Sequence, residues 1–226
     1  MADVKKVIFV HGAWADELCW NKVRVMLDAA GIPNLAVRLP LTTLADDAAI
    51  VQQAIAAVAG PVLLVGHSYG GAVITQAGSD ANVAGLVYIN AFVPDIGESA
   101  LALTGLVAPS RMSSELRPNE QGFLSLTRDG VFEGFAQDAS VEEKAALFQN
   151  QRPSSAAALS TPVNVAAWRD KPTWYLVATL DQAIPPALQE IFVKKLGAVQ
   201  ATVAAGHCSM ISQPQAVADI ILQAAQ

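Results

Sequence analysis

Short apolar runs rich in β-branched residues alternate along this chain with segments in which apolar residues recur every three or four positions. The runs are typical of strands buried on both faces of a parallel sheet, and the periodic segments are typical of amphipathic helices. We predict strands at residues 7–10, 34–39, 62–66, 84–91, 173–178 and 199–204. We predict helices at residues 18–30, 44–59, 185–196 and 214–225, and another that follows the third strand to about residue 79.

Alternation of strands and helices predicts an α/β fold, because parallel strands need helical crossovers between them. We expect a mostly parallel, doubly wound sheet of about six strands with helices on both faces. The alternation stops between residues 94 and 170, where short helical patches replace clean strands. The predicted organisation is therefore a core of residues 1–93 and 171–226, with a small helical cap of residues 94–170 inserted after the fourth strand.

Composition narrows the class of protein. Hydrophobic residues make up 53% of the 226 positions and charged residues only 15%, which indicates a sizeable core. A net charge of −6 argues against a nucleic-acid partner. The N-terminus shows no secretory signal and no apolar stretch suits a membrane span, so we expect a cytoplasmic protein without a membrane partner. Cys19 and Cys208 lack metal-like spacing, and we expect neither a disulfide nor a metal nor a cofactor.

The third predicted strand leads into Gly66-His67-Ser68-Tyr69-Gly70, a Gly-x-Ser-x-Gly pattern. Such a pattern also arises by chance, but a strand before it and a helix after it favour a nucleophile elbow. In an elbow the serine has a strained backbone, and we expect a Cβ at Gly66 or Gly70 to crowd it. Ser68 would then lie at a helix N-terminus, where negative charge on an oxygen is favoured.

A serine hydroxyl needs a base, and the chain has three histidines. His67 adjoins the serine, so its ring should point away from the hydroxyl. His11 ends the first strand, and we interpret it as a structural hydrogen-bonding residue. His207 follows the last strand at the same sheet edge as Ser68, and its place in the order Ser, Asp, His predicts that it is the base.

The base needs an acid that fixes its tautomer. Asp181 follows the strand at residues 173–178 and is our candidate, although an aspartate there could simply begin the next helix. Asp95, after the fourth strand, is the rival. Cys208 lies beside the candidate base but has no base of its own, so we interpret it as a small buried apolar residue.

An ester carbonyl under attack also needs two preorganised donors for its oxygen. We expect the backbone N–H groups of Tyr69 and Ala13 to supply them, with Gly12 allowing the loop after the first strand to approach closely. The aromatic side chains of Trp14, Tyr69 and Phe92 are candidates for the wall of an apolar pocket, although each could equally be part of the core.

Several motifs together resemble the α/β-hydrolase superfamily, and more closely its branch of plant methylesterases, hydroxynitrile lyases and small bacterial esterases. They are Phe9-Val10-His11-Gly12-Ala13-Trp14, Val65-Gly66-His67-Ser68-Tyr69-Gly70-Gly71, Asp181 before Ile184-Pro185-Pro186, and Gly206-His207 before Ser212-Gln213-Pro214. The resemblance implies the α/β-hydrolase fold, the catalytic residues Ser68, Asp181 and His207, and the oxyanion donors Ala13 and Tyr69.

Three departures refine this resemblance. The lyases carry a threonine at the position of Gly12 and a lysine at that of Cys208, so cyanogenic cleavage is not expected. Ser68 at the elbow excludes the mechanism of the dehalogenases, which use an aspartate there. The family's Gly-x-Gly-x-Ser turn after the second strand is replaced by Leu39-Pro40-Leu41-Thr42-Thr43, for which the sequence suggests no function.

We therefore predict a cofactor-free serine hydrolase, a carboxylesterase that cleaves small carboxylic esters through an acyl-enzyme. A lactonase, perhydrolase or thioesterase would use the same three residues, so the small-molecule substrate could be an ester or a lactone. A hypothesis from another class is a ligand-binding protein on a hydrolase scaffold without turnover. An intact Ser, Asp and His at one sheet edge argue against it.

Overall fold

A computed structural model describes residues 4–226 and contains a six-stranded parallel sheet. Residues 1–3, part of the N-terminal stretch for which we expect no secretory signal, lie outside the described residues. The strand order across the sheet is β2-β1-β3-β4-β8-β9. In chain order the strands are β1 Lys6–Val10, β2 Asn34–Val37, β3 Val62–His67, β4 Val83–Ile89, β5 Leu116–Pro118, β6 Phe123–Leu126, β7 Ser154–Ser155, β8 Thr173–Ala178 and β9 Val199–Val203.

Helices connect the strands and cover the sheet, and α1 packs against α9 while α2 packs against α3. The Thr43 side chain caps α2 by accepting the N–H of Asp46. Gly197, in the left-handed conformation, ends α7. The helices are α1 Asn21–Ala29, α2 Leu44–Ala56, α3 Tyr69–Ala77, α4 Ala100–Leu103, α5 Val141–Asn150, α6 Ala156–Ser160, α7 Pro186–Leu196, α8 Ser209–Ser212 and α9 Pro214–Ala224.

The centre of the sheet is the most deeply buried part of the molecule. Every residue of β3 and of β8 is buried, which is why both read as continuous apolar runs rather than alternating ones. The predicted α/β fold with a parallel sheet of six strands is thus confirmed. No helix within residues 4–226 has the length and apolar character that crossing a bilayer requires.

The insertion between β4 and β8 differs from its prediction. It carries the helices α4, α5 and α6, but it also contains a three-stranded antiparallel sheet in the order β5-β6-β7. The expectation that this stretch has no clean strands was wrong. These strands have three, four and two residues, too few for an alternating pattern to be visible in the sequence.

Candidate active site

The nucleophile candidate lies in the turn between β3 and α3. Ser68 has φ 54° and ψ −123°, a conformation that side-chain-bearing residues rarely adopt. Its backbone is held in place from the end of β4, because the Ser68 N–H donates to Ile89 O at 3.4 Å and Ser68 O accepts the Phe92 N–H at 3.1 Å. Strain of this kind persists only where surrounding bonds over-determine the backbone. The fold therefore holds this serine in the geometry of an elbow.

The glycines around the elbow allow close backbone approach. A Cβ on Gly66 would lie 2.6 Å from Gly70 O, and one on Gly70 would strike Val10 O. Both glycines are therefore needed for close packing at the turn, as expected, and the nearest clashes are with backbone carbonyls. It is a Cβ on Gly12 that would lie 2.7 Å from the Cβ of Ser68. The loop after β1 can pack directly on the serine only because residue 12 is glycine.

The candidate base and acid are bonded to each other beyond the ends of β9 and β8. His207 Nδ1 lies 2.8 Å from Asp181 Oδ2, and both side chains are fully buried. A carboxylate only accepts, so Nδ1 carries the proton and Nε2 is left as the basic nitrogen. Nε2 has no hydrogen-bond partner among the described residues. The imidazole is thus oriented by Asp181, with its second nitrogen free to take a proton.

Asp181 accepts further hydrogen bonds that fix its carboxylate. The backbone N–H groups of Ala183 and Ile184 donate to Oδ1 at 2.7 and 2.9 Å. The Gln189 side chain donates to Oδ2 at 3.1 Å. These bonds leave the carboxylate one orientation toward His207.

The rival acid, Asp95, is engaged elsewhere. Its carboxylate forms a salt bridge with Arg169 at 2.7 Å near the surface. The guanidinium of Arg169 holds the pKa of Asp95 below its ordinary value. Of the two candidate acids, Asp181 is the one that bonds His207.

Asn90, which directly follows β4, links the elbow to the base. Its Nδ2 donates to His207 O at 2.6 Å, and its Oδ1 accepts the Ser209 hydroxyl at 2.7 Å. The structure has no direct hydrogen bond from His207 Nε2 to Ser68. The segment from Ile89 to Phe92 nevertheless contacts both residues, because Ile89 and Phe92 bond the Ser68 backbone and Asn90 bonds the His207 carbonyl. Apo enzymes often form the nucleophile–base bond only when substrate binds.

His67 is in contact with the candidate base, His207. Its Nε2 donates to the backbone carbonyl of His207 at 2.9 Å, and the two rings lie 4.6 Å apart between centroids. Burial lowers the pKa of His67 well below its ordinary value, so this ring stays neutral at neutral pH. Sequence reasoning missed this contact and the role of Asn90. The available signal was a polar residue, Asn90, directly after a buried strand at the sheet edge.

A cavity of about 430 Å³ opens beside Ser68. Its wall includes every residue predicted for the oxyanion hole and the pocket, namely Ala13, Trp14, Tyr69 and Phe92. None of the residues that line it is charged. The insertion contributes much of the wall, including Leu101, Met112 and Leu124.

Most polar groups in this wall are bonded to the protein. The Trp14 indole donates to Leu124 O at 2.8 Å, and the Tyr69 hydroxyl donates to Asp47 at 2.8 Å. The hydroxyls of Thr104 and Ser113 donate to backbone carbonyls of their own turns. Their donors are thereby used, and the cavity offers a mainly apolar surface.

Cys208 follows the candidate base and is buried, as predicted. Burial raises the pKa of its thiol well above the ordinary value. A thiol that stays protonated is a poor nucleophile. This residue therefore does not compete with Ser68.

Comparison with known proteins places these features in a family. A sequence model described as the alpha/beta hydrolase family matches residues 7–220. The chain belongs to this family. Among its relatives is a probable hydrolase, R7, of Phoma sp. (strain ATCC 20986 / MF5453), 27% identical over 97% of each chain. Methylesterase 7 of Arabidopsis thaliana is 32% identical over 41% of this chain and 42% of its own.

Solved structures agree on the fold of this α/β-hydrolase. Polyneuridine aldehyde esterase superposes with a TM-score of 0.86 at 22% identity, covering 99% of this chain and 100% of the other. The predicted membership of the α/β-hydrolase superfamily is thus confirmed, and a plant methylesterase is among the similar proteins.

Proposed function

We propose that this α/β-hydrolase is a serine carboxylesterase that uses Ser68, His207 and Asp181. The observation that carries the proposal is the His207 imidazole, bonded to Asp181 through Nδ1 and unpartnered at Nε2. An imidazole arranged in this way is poised as a general base. It lies at the same sheet edge as a serine in a strained turn. The esterase names of the relatives support an ester as the bond that is cleaved.

In the proposed reaction the Ser68 oxygen attacks the ester carbonyl while His207 Nε2 removes the hydroxyl proton. Asp181 keeps the imidazole in the required tautomer and stabilises the imidazolium that forms. The carbonyl oxygen becomes an oxyanion and accepts hydrogen bonds from the N–H groups of Ala13 and Tyr69. His207 then returns the proton to the departing alcohol, which leaves the acyl group on Ser68.

In the second half of the reaction, water takes the place of the alcohol and hydrolyses the acyl-enzyme. His207 removes a proton from water, the hydroxide attacks the acyl carbon, and Ser68 leaves with the proton returned to it. The products are a carboxylic acid and the regenerated serine. The chain's own residues perform each of these steps.

The cavity wall indicates which esters fit. A wall without charged residues favours neutral, apolar groups, because a charged group would lose its hydration without gaining a partner. A volume of about 430 Å³ is within the range of small-molecule sites. We propose neutral, apolar esters of small to moderate size as substrates.

Labelling with a fluorophosphonate and locating the modified residue by mass spectrometry tests the proposal. The probe should phosphonylate Ser68 and abolish hydrolysis of nitrophenyl esters in step with labelling. A Ser79→Ala variant, which removes an exposed serine just beyond α3, should label and hydrolyse as the unmodified protein does. Labelling at another residue, or full ester hydrolysis after complete Ser68 labelling, would refute the mechanism.

A further inference from the structure

The segment that replaces the family's glycine-rich turn is hydrogen-bonded to two side chains, His11 and Asp47, each of which contacts one of the proposed oxyanion-hole loops. It consists of Leu39, Pro40 and Leu41, and both leucines are fully buried. Its proline has a fixed φ, and Leu41 has a left-handed φ of 60°. Each of its two backbone N–H groups donates to a buried side chain that also contacts one of the oxyanion-hole loops.

His11 connects one end of this segment to Ala13. His11 Nε2 accepts the Leu39 N–H at 3.0 Å, so Nδ1 carries the proton and donates to Gly12 O at 2.8 Å. Gly12 O and the Ala13 N–H belong to the same planar peptide group. By holding the oxygen of that group, His11 sets the direction in which the Ala13 N–H points.

Asp47 connects the other end to Tyr69. Its Oδ1 accepts the Leu41 N–H at 2.8 Å, and its Oδ2 accepts the Tyr69 hydroxyl at 2.8 Å. Burial raises the pKa of the Asp47 carboxyl, while these two donors act in the opposite direction. Tyr69 is the first residue of α3, so a fixed side chain restrains the position of its backbone N–H.

The carbonyls of the same segment are held as well. Arg152 donates to Leu39 O at 2.6 Å, and the Ser155 N–H donates to Leu41 O at 2.9 Å. Both donors belong to the insertion. A buried segment bonded on both sides has little freedom to shift, since each displacement would leave a buried polar group unpaired.

We propose that residues 39–41, held by His11 at one end and Asp47 at the other, form a brace that sets the positions of both oxyanion donors. His11 and Asp47 are then positioning residues, and the Tyr69 hydroxyl is the link through which Asp47 acts. The inference rests on the proposed function, because it takes Ala13 and Tyr69 as the oxyanion donors. It gives a role to the one family motif that the sequence replaces.

Tyr69→Phe tests the brace, since it removes one hydroxyl and keeps the ring in the cavity wall. With a nitrophenyl ester, kcat should fall about tenfold and KM should change less than twofold, because donors aimed at the oxyanion act in the transition state. The affinity of a trifluoromethyl ketone should fall by the same factor, since its adduct with Ser68 carries an oxyanion. Unchanged kcat and unchanged ketone affinity would overturn the brace.

Tyr88→Phe is the matched control. It removes another buried hydroxyl, bonded to Thr75 at 2.9 Å, outside the site. Its thermal midpoint should fall while kcat and ketone affinity stay the same. A fall in kcat as large as that of Tyr69→Phe would show a general packing effect and overturn the proposal.

A double variant tests whether the two ends act as one unit. His11→Asn retains a donor near Gly12 O and loses the acceptor for the Leu39 N–H. Combined with Tyr69→Phe, it should lower kcat little more than the larger single loss, since either change already breaks the chain of bonds that joins Tyr69 to Ala13. Losses that multiply would overturn the brace. Continued labelling of Ser68 by fluorophosphonate in these variants separates failure of the brace from failure of the proposed function.

Discussion

The carboxyl edge of the sheet and the insertion at residues 94–170 hold their side chains by different means. At the sheet edge, Asp181 and His207 are buried and bonded, and Ser68 is locked from β4 by backbone bonds. The strands of the insertion have only two to four residues, and its longest helix, α5, has no buried residue. In the first region many hydrogen bonds converge on a few polar groups, whereas the second lines the cavity with the side chains of short strands and helices.

This difference assigns separate tasks to the two regions. Chemistry requires groups held to within a fraction of an ångström, and a packed sheet edge provides that. Selection among substrates requires a wall whose shape can vary. Changes at the sheet edge should therefore lower kcat for every ester, whereas changes in the insertion should alter the preference among esters.

Removing the nucleophile is the strongest test of this division. Ser68→Ala should lower kcat by about 10⁵- to 10⁶-fold for all esters, as loss of a triad nucleophile does elsewhere. The thermal midpoint should stay close to that of the unmodified protein, because the change removes one hydroxyl. Steady-state kinetics and thermal unfolding measure both effects. Retention of more than a few per cent of the activity would contradict the assignment.

Removing the charge behind the base should have the next largest effect. Asp181→Asn keeps the size of the side chain but stabilises the wrong tautomer of His207, so kcat should fall by about 10⁴-fold. Asp95→Asn is the matched control and should leave kcat unchanged, because that carboxylate pairs with Arg169 instead. Steady-state kinetics of both variants with one nitrophenyl ester measure the two effects. Equal losses in the two variants would contradict the choice of acid.

As pH falls, the sheet edge should lose stability at a higher pH than the insertion does, since residues 94–170 contain no histidine. Burial lowers the pKa of His11 to about 4 from 6.5. Between these values the unfolded chain binds the proton and the folded chain does not, so stability is lost as pH falls through this window. For this residue the loss should approach about 3 kcal/mol at pH 4.

Urea unfolding at pH 7 and pH 4 measures that loss. His67, whose pKa is also lowered, should add to it in the unmodified protein. His11→Gln should reduce the difference between the two pH values by about 3 kcal/mol. An equal pH dependence in both proteins would contradict the expected titration of His11.

The smallest effect is expected in the insertion. Leu101 lines the cavity and is half exposed, so Leu101→Ala should widen the wall at little cost in stability. The ratio of kcat/KM for a long acyl chain to that for a short one should rise about tenfold, the effect of roughly one methylene in an apolar pocket. Leu106→Ala, a similarly exposed leucine that does not line the cavity, should leave the ratio unchanged. A uniform fall in kcat for all esters would break the proposed division.

Much of the core could be predicted from local pattern. The six parallel strands were visible as apolar runs, and parallel strands place their carboxyl ends at one edge. Because of that rule, residues far apart in the chain, such as Ser68 and His207, could be assigned to one place. The hydrogen bonds that Asp181 and Asn90 make with His207 could not be predicted in this way, because a polar side chain at the sheet edge has many possible partners.

In the insertion, prediction from local sequence pattern fails for a different reason, which is that the strands are too short. Its β-strands were missed because two to four residues do not display an alternating pattern. Their pairing depends on which segments the tertiary fold brings side by side. The same holds for the contacts of Arg152 and Ser155 with residues 39–41, which join the insertion to the core.

The sequence by itself determined the periodic elements, the elbow and the order of the polar residues that end the strands. These features depend on the steric and hydrophobic preferences of each residue type, which can be read from the sequence. Only the tertiary structure decided which buried donors meet which acceptors, including the links from His11 and Asp47 to residues 39–41. A hydrogen bond needs both groups within about 3 Å, and such a distance between remote residues exists only once the whole chain has packed.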